Sequence, residues 1–192
     1  MKCDIVLAGV GGQGVLTLAA AIASGALEEN LCVKQSEVHG MAQRGGAVMA
    51  TLRLADRHIA SDLIPLGTAS IILSMEPMES LRYLPYLSKE GTLITSDSPV
   101  RNIPDYPDLK ELLAKIRSLP SAVVVDAVKL ARTAGSTRAA NMVMVGAAMN
   151  LLPVKAETVE RAVRVMFARK GDQVVDINLR ALQAGCAAAA QS

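Results

Sequence analysis

Short apolar runs alternate with amphipathic segments along most of this chain. Cys3–Ala8 (CDIVLA) is a mostly apolar run, the pattern of a strand covered on both faces in a parallel sheet. After the glycine-rich turn Gly9–Gly14, Val15–Glu29 has helical spacing, with Leu16, Ala19, Ala20, Ala23 and Leu27 read as its apolar face. Asn30 is a plausible stop, and Leu31–Ser36 reads as a second strand, parallel to the first after a right-handed crossover. Glu37–Gly46 (EVHGMAQRGG) is too polar and glycine-rich for a regular element and reads as a loop.

Ala47–Leu54, Ala69–Met75 and Gly91–Ser96 are further strands, and Glu76–Leu87 a helix with Pro77 in its first turn. Ser98–Pro107 holds three prolines and reads as a loop. Leu109–Arg117 (helix) and Ala122–Asp126 (strand) follow, then helices over Ala127–Thr133, Arg138–Leu151 and Ala156–Arg169, with a weaker helical stretch after Gly171. Residues 186–192 are expected to fray. The pattern predicts an α/β fold: a doubly wound, Rossmann-like, mostly parallel sheet with helices on both faces and a helical C-terminal part. Without an internal repeat or a domain-scale linker, residues 1–192 read as one domain.

Composition changes this picture little, but it narrows the function. The chain has 192 residues, no Trp, one Phe and three Tyr, so aliphatic side chains and nine Met must fill its core. Twenty basic and eighteen acidic side chains give a net charge of +2 with no long charge run, which argues against nucleic-acid or membrane binding as the main activity. Cys3, Cys32 and Cys186 are scattered and form no CxxC, so the chain does not supply the ligands of a four-Cys cluster or zinc site by itself. Free thiols, Asp4 interrupting the first apolar run and the lack of a span-length apolar stretch fit a cytoplasmic protein.

Two loops carry the chemistry. Gly9, Gly11 and Gly14 satisfy G-x-G-x-x-G between a strand and a helix, where bare backbone amides and the helix N-terminus favour an anion. Gly12 and Gln13 are unusual for a dinucleotide fingerprint, and Glu37 falls late for its acidic partner. A phosphate contact, an independent NAD or FAD site and a turn needed only for packing therefore all stay open. The second loop gathers Glu37, His39, Gln43 and Arg44 beside Gly45 and Gly46. His39 can exchange a proton near neutral pH, and Arg44 can hold a phosphate or carboxylate in a bidentate grip. His39 and Arg44 are the catalytic candidates, and Gln43–Gly46 joins Gly9 and Gly11–Gly14 as the binding candidates. Plainer readings pair Glu37 with Arg44 and give His39 a loop carbonyl. His58 reads as a surface or strand-end residue, Cys3 and Cys32 as core, and Glu76, which could contact a ligand, more simply as an acid complementing a helix dipole.

Three blocks in order, GVGGQGV at Gly9–Val15, SEVHGMAQRGG at Ser36–Gly46 and LIPLGTASIILSMEPMESLRYLPYL at Leu63–Leu87, resemble the gamma domain of 2-oxoacid:ferredoxin oxidoreductases, most of all the small (beta) subunit of the indolepyruvate type. The resemblance implies a subunit inactive alone, within a complex that oxidatively decarboxylates a 2-oxoacid such as indolepyruvate, forms the acyl-CoA and reduces ferredoxin. It implies that thiamine diphosphate, Mg and [4Fe-4S] clusters belong to a large (alpha) partner subunit, with no metal held by this chain. It also implies that CoA reaches a shared site, with Gly9–Gly14 as a phosphate-type turn and His39–Gly46 facing that site. A stand-alone dinucleotide-binding oxidoreductase and a CoA- or phosphate-binding regulatory module are the alternatives.

Overall fold

The computed structural model describes residues 1–39 and 45–191, with His39 described by its backbone alone. Six strands form one sheet in the order β2-β3-β1-β4-β5-β6. They are β1 (Lys2–Val10), β2 (Cys32–His39), β3 (Ala47–Ala55), β4 (Ala69–Ser74), β5 (Leu87–Ser96) and β6 (Ala122–Val125). β1, β4, β5 and β6 pair in parallel, whereas β3 is antiparallel to both β1 and β2. Five strands thus share one direction, and the sheet is the expected mostly parallel, α/β type.

Alternation along the central strands divides the core. Ile5, Leu7, Ile71, Leu73 and Ile94 point into the larger apolar cluster, while Val6, Ile72 and Leu93 point into a smaller one on the opposite face. Both faces of each strand are therefore buried, which is why these segments read as continuous apolar runs. The larger cluster also takes in α1 (Val15–Glu28), α4 (Ala127–Ala134), α5 (Ala140–Ala148), α6 (Ala156–Phe167) and α7 (Asp172–Ala189). On the smaller side stand α2 (Pro77–Arg82) and α3 (Leu109–Arg117), contributing Leu81, Leu113 and Ile116. All nine residues of α5 are buried, which fits a helix pressed between the sheet and α7.

Six details differ from the sequence reading. β1 and β2 run parallel but are not neighbours, because β3 turns back and inserts between them. β2 continues to His39, so Glu37 and His39 belong to a strand and not to a loop. The buried face of α1 is Val15, Leu18, Ala19, Ile22 and Ala26, while Leu27 is exposed. Cys32, expected in the core, is exposed on β2. The segment after α2 is a separate turn of 3-10 helix, Leu84–Tyr86, because Pro85 lacks an amide hydrogen and restricts Leu84. Residues 186–189, expected to fray, are the last turn of α7. Among the described residues, no helix is long and apolar enough to cross a membrane.

Candidate functional site

After β1 the chain builds β2 and β3 on one side, and after β3 it crosses to β4 on the other. The carboxyl ends of β1 and β4 therefore frame a topological switch point, where open α/β sheets bind ligands. Gly9 and Val10, expected in the turn, are the last residues of β1; Gly11–Gly14 makes the turn at this point, and Met75-Glu76 follows β4.

The turn is held tightly. A Cβ on Gly9 would come within 2.8 Å of Val15 Cγ2 and 2.9 Å of Gln13 Oε1. Gln13 clamps the turn from within: its Oε1 accepts the Val10 amide at 2.8 Å, and its Nε2 donates to the Met75 carbonyl at 3.2 Å. Gly14 starts α1 in the left-handed region, φ 78°, and a Cβ there would also meet Asn141 Nδ2 at 2.9 Å. Thr17 and Leu18 donate to the Gly14 carbonyl at 2.9 and 3.3 Å. The amides of Gly14, Val15 and Leu16 precede that ladder and face the open end of the helix, as an anion requires.

The second loop joins the first at its described end. Gly11 donates to the Gly46 carbonyl at 2.8 Å, and Gly45 donates to the Gly11 carbonyl at 3.5 Å. Asn102 Nδ2 donates to the Gly45 carbonyl. Gly9, Gly11–Gly14 and Gly45–Gly46 are thus gathered at one sheet edge. Gln43 and Arg44 lie outside the described residues, as does the side chain of His39.

A cleft of about 420 Å³ opens beside the turn, lined by Gly12, Gln13, Gly14, Met75, Arg138 and Asn141 among others. A second cleft of about 320 Å³ shares Arg138 and Asn141 and is walled by Phe167, Lys170 and Ile177. Asn141 is only 9% exposed; its Oδ1 accepts the Met142 amide at 2.9 Å, leaving Nδ2 directed at Gly14. Arg138 is exposed, lines both clefts and forms no ion pair among the described residues. On the same edge, burial and then the charge of Asp126 raise the Asp97 carboxyl above its ordinary range. The arrangement offers amides, one guanidinium and one carboxamide to a phosphate or carboxylate.

Sequence reasoning missed Arg138 and Asn141, which line the cleft beside the glycine turn from more than a hundred residues further along the chain. For Glu76 it favoured a dipole acid over a ligand contact. Glu76 does cap α2, accepting the Glu79 amide at 2.8 Å, but the same side chain also accepts Val100 N at 3.4 Å and the Tyr106 hydroxyl. Glu37, weighed as the acid of a dinucleotide site, stands on β2. With β3 interposed, it lies two strand spacings, about 9–10 Å, from β1. A dinucleotide fold instead carries that acid on the strand next to β1. His58 is exposed after β3, as expected of a surface residue. No group of three His, Cys, Asp or Glu with metal-site geometry occurs among the described residues.

The sequence matches the pyruvate ferredoxin/flavodoxin oxidoreductase family over residues 4–188. The chain belongs to that family. It is 38% identical to the indolepyruvate oxidoreductase subunit IorB of Archaeoglobus fulgidus, over 96% of this chain and 94% of that one. Its fold is similar to the gamma subunit of the keto/oxoacid ferredoxin oxidoreductase of Geobacter sulfurreducens (TM-score 0.73, 22% identity), covering 99% of both chains. It is similar also to a 2-oxoglutarate:ferredoxin oxidoreductase of Magnetococcus marinus solved with 2-oxoglutarate, coenzyme A and succinyl-CoA (TM-score 0.80, 21% identity). All of this chain, but only 31% of that one, is covered.

Proposed function

We propose that this chain is the small subunit of an indolepyruvate-type 2-oxoacid:ferredoxin oxidoreductase, and that its switch-point cleft is one wall of a site completed by a large subunit. The overall reaction would convert a 2-oxoacid, CoA and two oxidised ferredoxins into acyl-CoA, CO₂, a proton and two reduced ferredoxins. The observation that carries the reading is the end-to-end match to an indolepyruvate oxidoreductase subunit by a chain whose anion-type donors converge at one open sheet edge.

Thiamine diphosphate with Mg, and the [4Fe-4S] clusters, are assigned to the large subunit, where the thiamine group supplies the electron sink for decarboxylation and the clusters carry electrons onward. The work left to this chain is binding and orientation. The amides of Gly14, Val15 and Leu16, helped by Arg138 and Asn141 Nδ2, suit a phosphate of CoA. Gly45 and Gly46, lacking side chains, allow a ligand or the partner's backbone to approach closely. His39 and Arg44 remain the candidates for contact with reacting groups. The complex is placed in the reducing cytoplasm, in keeping with the free thiols.

Substrate competition tests the reading. The assembled pair is expected to reduce viologen with indolepyruvate and CoA together, and to prefer aryl over branched or dicarboxylic 2-oxoacids. Preference for 2-oxoglutarate or 2-oxoisovalerate would overturn the indolepyruvate assignment while leaving the subunit role in place.

A further inference from the structure

The glycine turn is supported on two flanks, and both supports start from consecutive residues after β4. On one flank, the Met75 carbonyl receives Gln13 Nε2 at 3.2 Å. On the other flank the path is longer and begins at the next side chain. Glu76 is fully buried, at 0% exposure, and one of its oxygens caps α2 through the Glu79 amide. Its other oxygen receives the Tyr106 hydroxyl and the Val100 amide. Those two bonds span the Pro-containing segment between β5 and α3. Asn102, between them in sequence, donates to the Gly45 carbonyl, and Gly45-Gly46 pairs with Gly11 through two backbone bonds.

We infer that Glu76 is a positioning residue: its carboxylate fixes the Val100–Tyr106 segment, and Asn102 of that segment sets Gly45-Gly46 against the glycine turn. A carboxylate suits the task because it accepts every one of these donors and offers no competing hydrogen. Burial, and then the neighbouring Glu76, hold the Tyr106 phenol above its ordinary pKa, so it stays a donor across the working pH range. The segment has little apolar anchorage of its own, with Ile103 exposed, so these bonds define its place. The consequence for CoA use rests on the function proposed above, whereas the consequence for the turn does not.

The test uses the full chain, alone and in the assembled complex. Tyr106→Phe and Asn102→Ala remove links of the path without disturbing the cap of α2, so the melting temperature should hold near that of the parent. Amide exchange at Gly11, whose hydrogen is held by Gly46, should quicken about tenfold in both variants, with β1, β4 and α5 unchanged. In the complex, KM for CoA should rise about fivefold while kcat stays within about twofold. Glu76→Gln, which keeps one acceptor oxygen, should fall between the parent and Glu76→Ala on both readouts. Unchanged Gly11 exchange in Tyr106→Phe and Asn102→Ala would overturn the inference, and so would a uniform rise across the sheet. A parent complex inactive on every 2-oxoacid would count against the proposed function, and the exchange data on the chain alone would still decide this one.

Discussion

Gly146 and Gly185 place the backbones of α5 and α7 in direct contact. A Cβ on Gly146 would sit 1.9 Å from the Leu182 carbonyl oxygen and 3.0 Å from Cys186 N. A Cβ on Gly185 would sit 1.9 Å from the Val143 carbonyl oxygen and 3.0 Å from Ala147 N. The contact is reciprocal, and backbone atoms cannot rotate aside. A carbon–oxygen contact relaxes at about 3.3 Å, so alanine at either position drives the helices apart by more than about 1 Å. Because α5 is buried on every side, that shift reaches the sheet. Overpacking costs roughly 1–3 kcal/mol, and more where backbone is the obstacle. Alanine returns about 1 kcal/mol of helix propensity. A net loss of about 2–3 kcal/mol is expected, lowering the melting temperature by roughly 5–10 °C for a chain of this size. Gly146→Ala with Gly185→Ala should cost less than the two apart, since one displacement relieves both clashes. Urea denaturation of the two single variants and the double variant measures this. Stabilisation of either single variant by about 0.5–1 kcal/mol, as for an unhindered helical glycine, would be incompatible with the close backbone contact.

Other expectations follow from single sites. Asp4, 1% exposed, is gripped by Arg53 through Nε at 2.9 Å and Nη2 at 3.1 Å, while Arg53 Nη1 also holds the Ser61 and Leu63 carbonyls. Asp4→Ala should cost about 3–5 kcal/mol in denaturation, and Arg53→Met in the same chain should recover part of it. Burial, and then Asp4, push the Cys3 thiol up to about 11, so at pH 8 iodoacetamide should alkylate exposed Cys32 and leave Cys3 intact until unfolding; prompt labelling of Cys3 would contradict its burial. The Glu79 carboxyl is raised by burial, against the pull of Arg82. A group raised in the folded state contributes stability below its unfolded pKa and loses it as pH rises through the folded value. Glu79→Gln should therefore flatten the stability profile across and just above the ordinary carboxylate range. Arg138→Gln, at an exposed position, should leave melting unchanged and raise KM for CoA about tenfold, the scale of one charge-assisted hydrogen bond.

The strand–helix alternation was legible because each buried strand carries an apolar run and each helix a 3.6-residue pattern. Leu109–Arg117 appears with the same limits in sequence and structure. The place of β3 was not legible. A short glycine-rich connection forces β2 and β3 to be antiparallel, since a parallel crossover needs a dozen or more residues. Nothing local, however, tells β3 to insert beside β1. That choice decided how far Glu37 stands from the glycine turn. Arg138 and Asn141 escaped for a related reason: they reach the cleft only once α5 packs beside Gly14. The run NMVMVGAA around Asn141 reads in sequence as a helix packed on the sheet or a subunit contact, and its full burial settles on the first. At Glu76, the helix-start signal accounted for one of its oxygens and concealed the other.

The proposed function makes this chain one wall of a site and not the whole of it. Reconstitution addresses it directly: 2-oxoacid- and CoA-dependent viologen reduction by this chain, by the large subunit, and by the two together. Turnover is expected from the assembled pair and none from this chain alone. Turnover by the isolated chain, or undiminished turnover by the large subunit without it, would overturn the shared site.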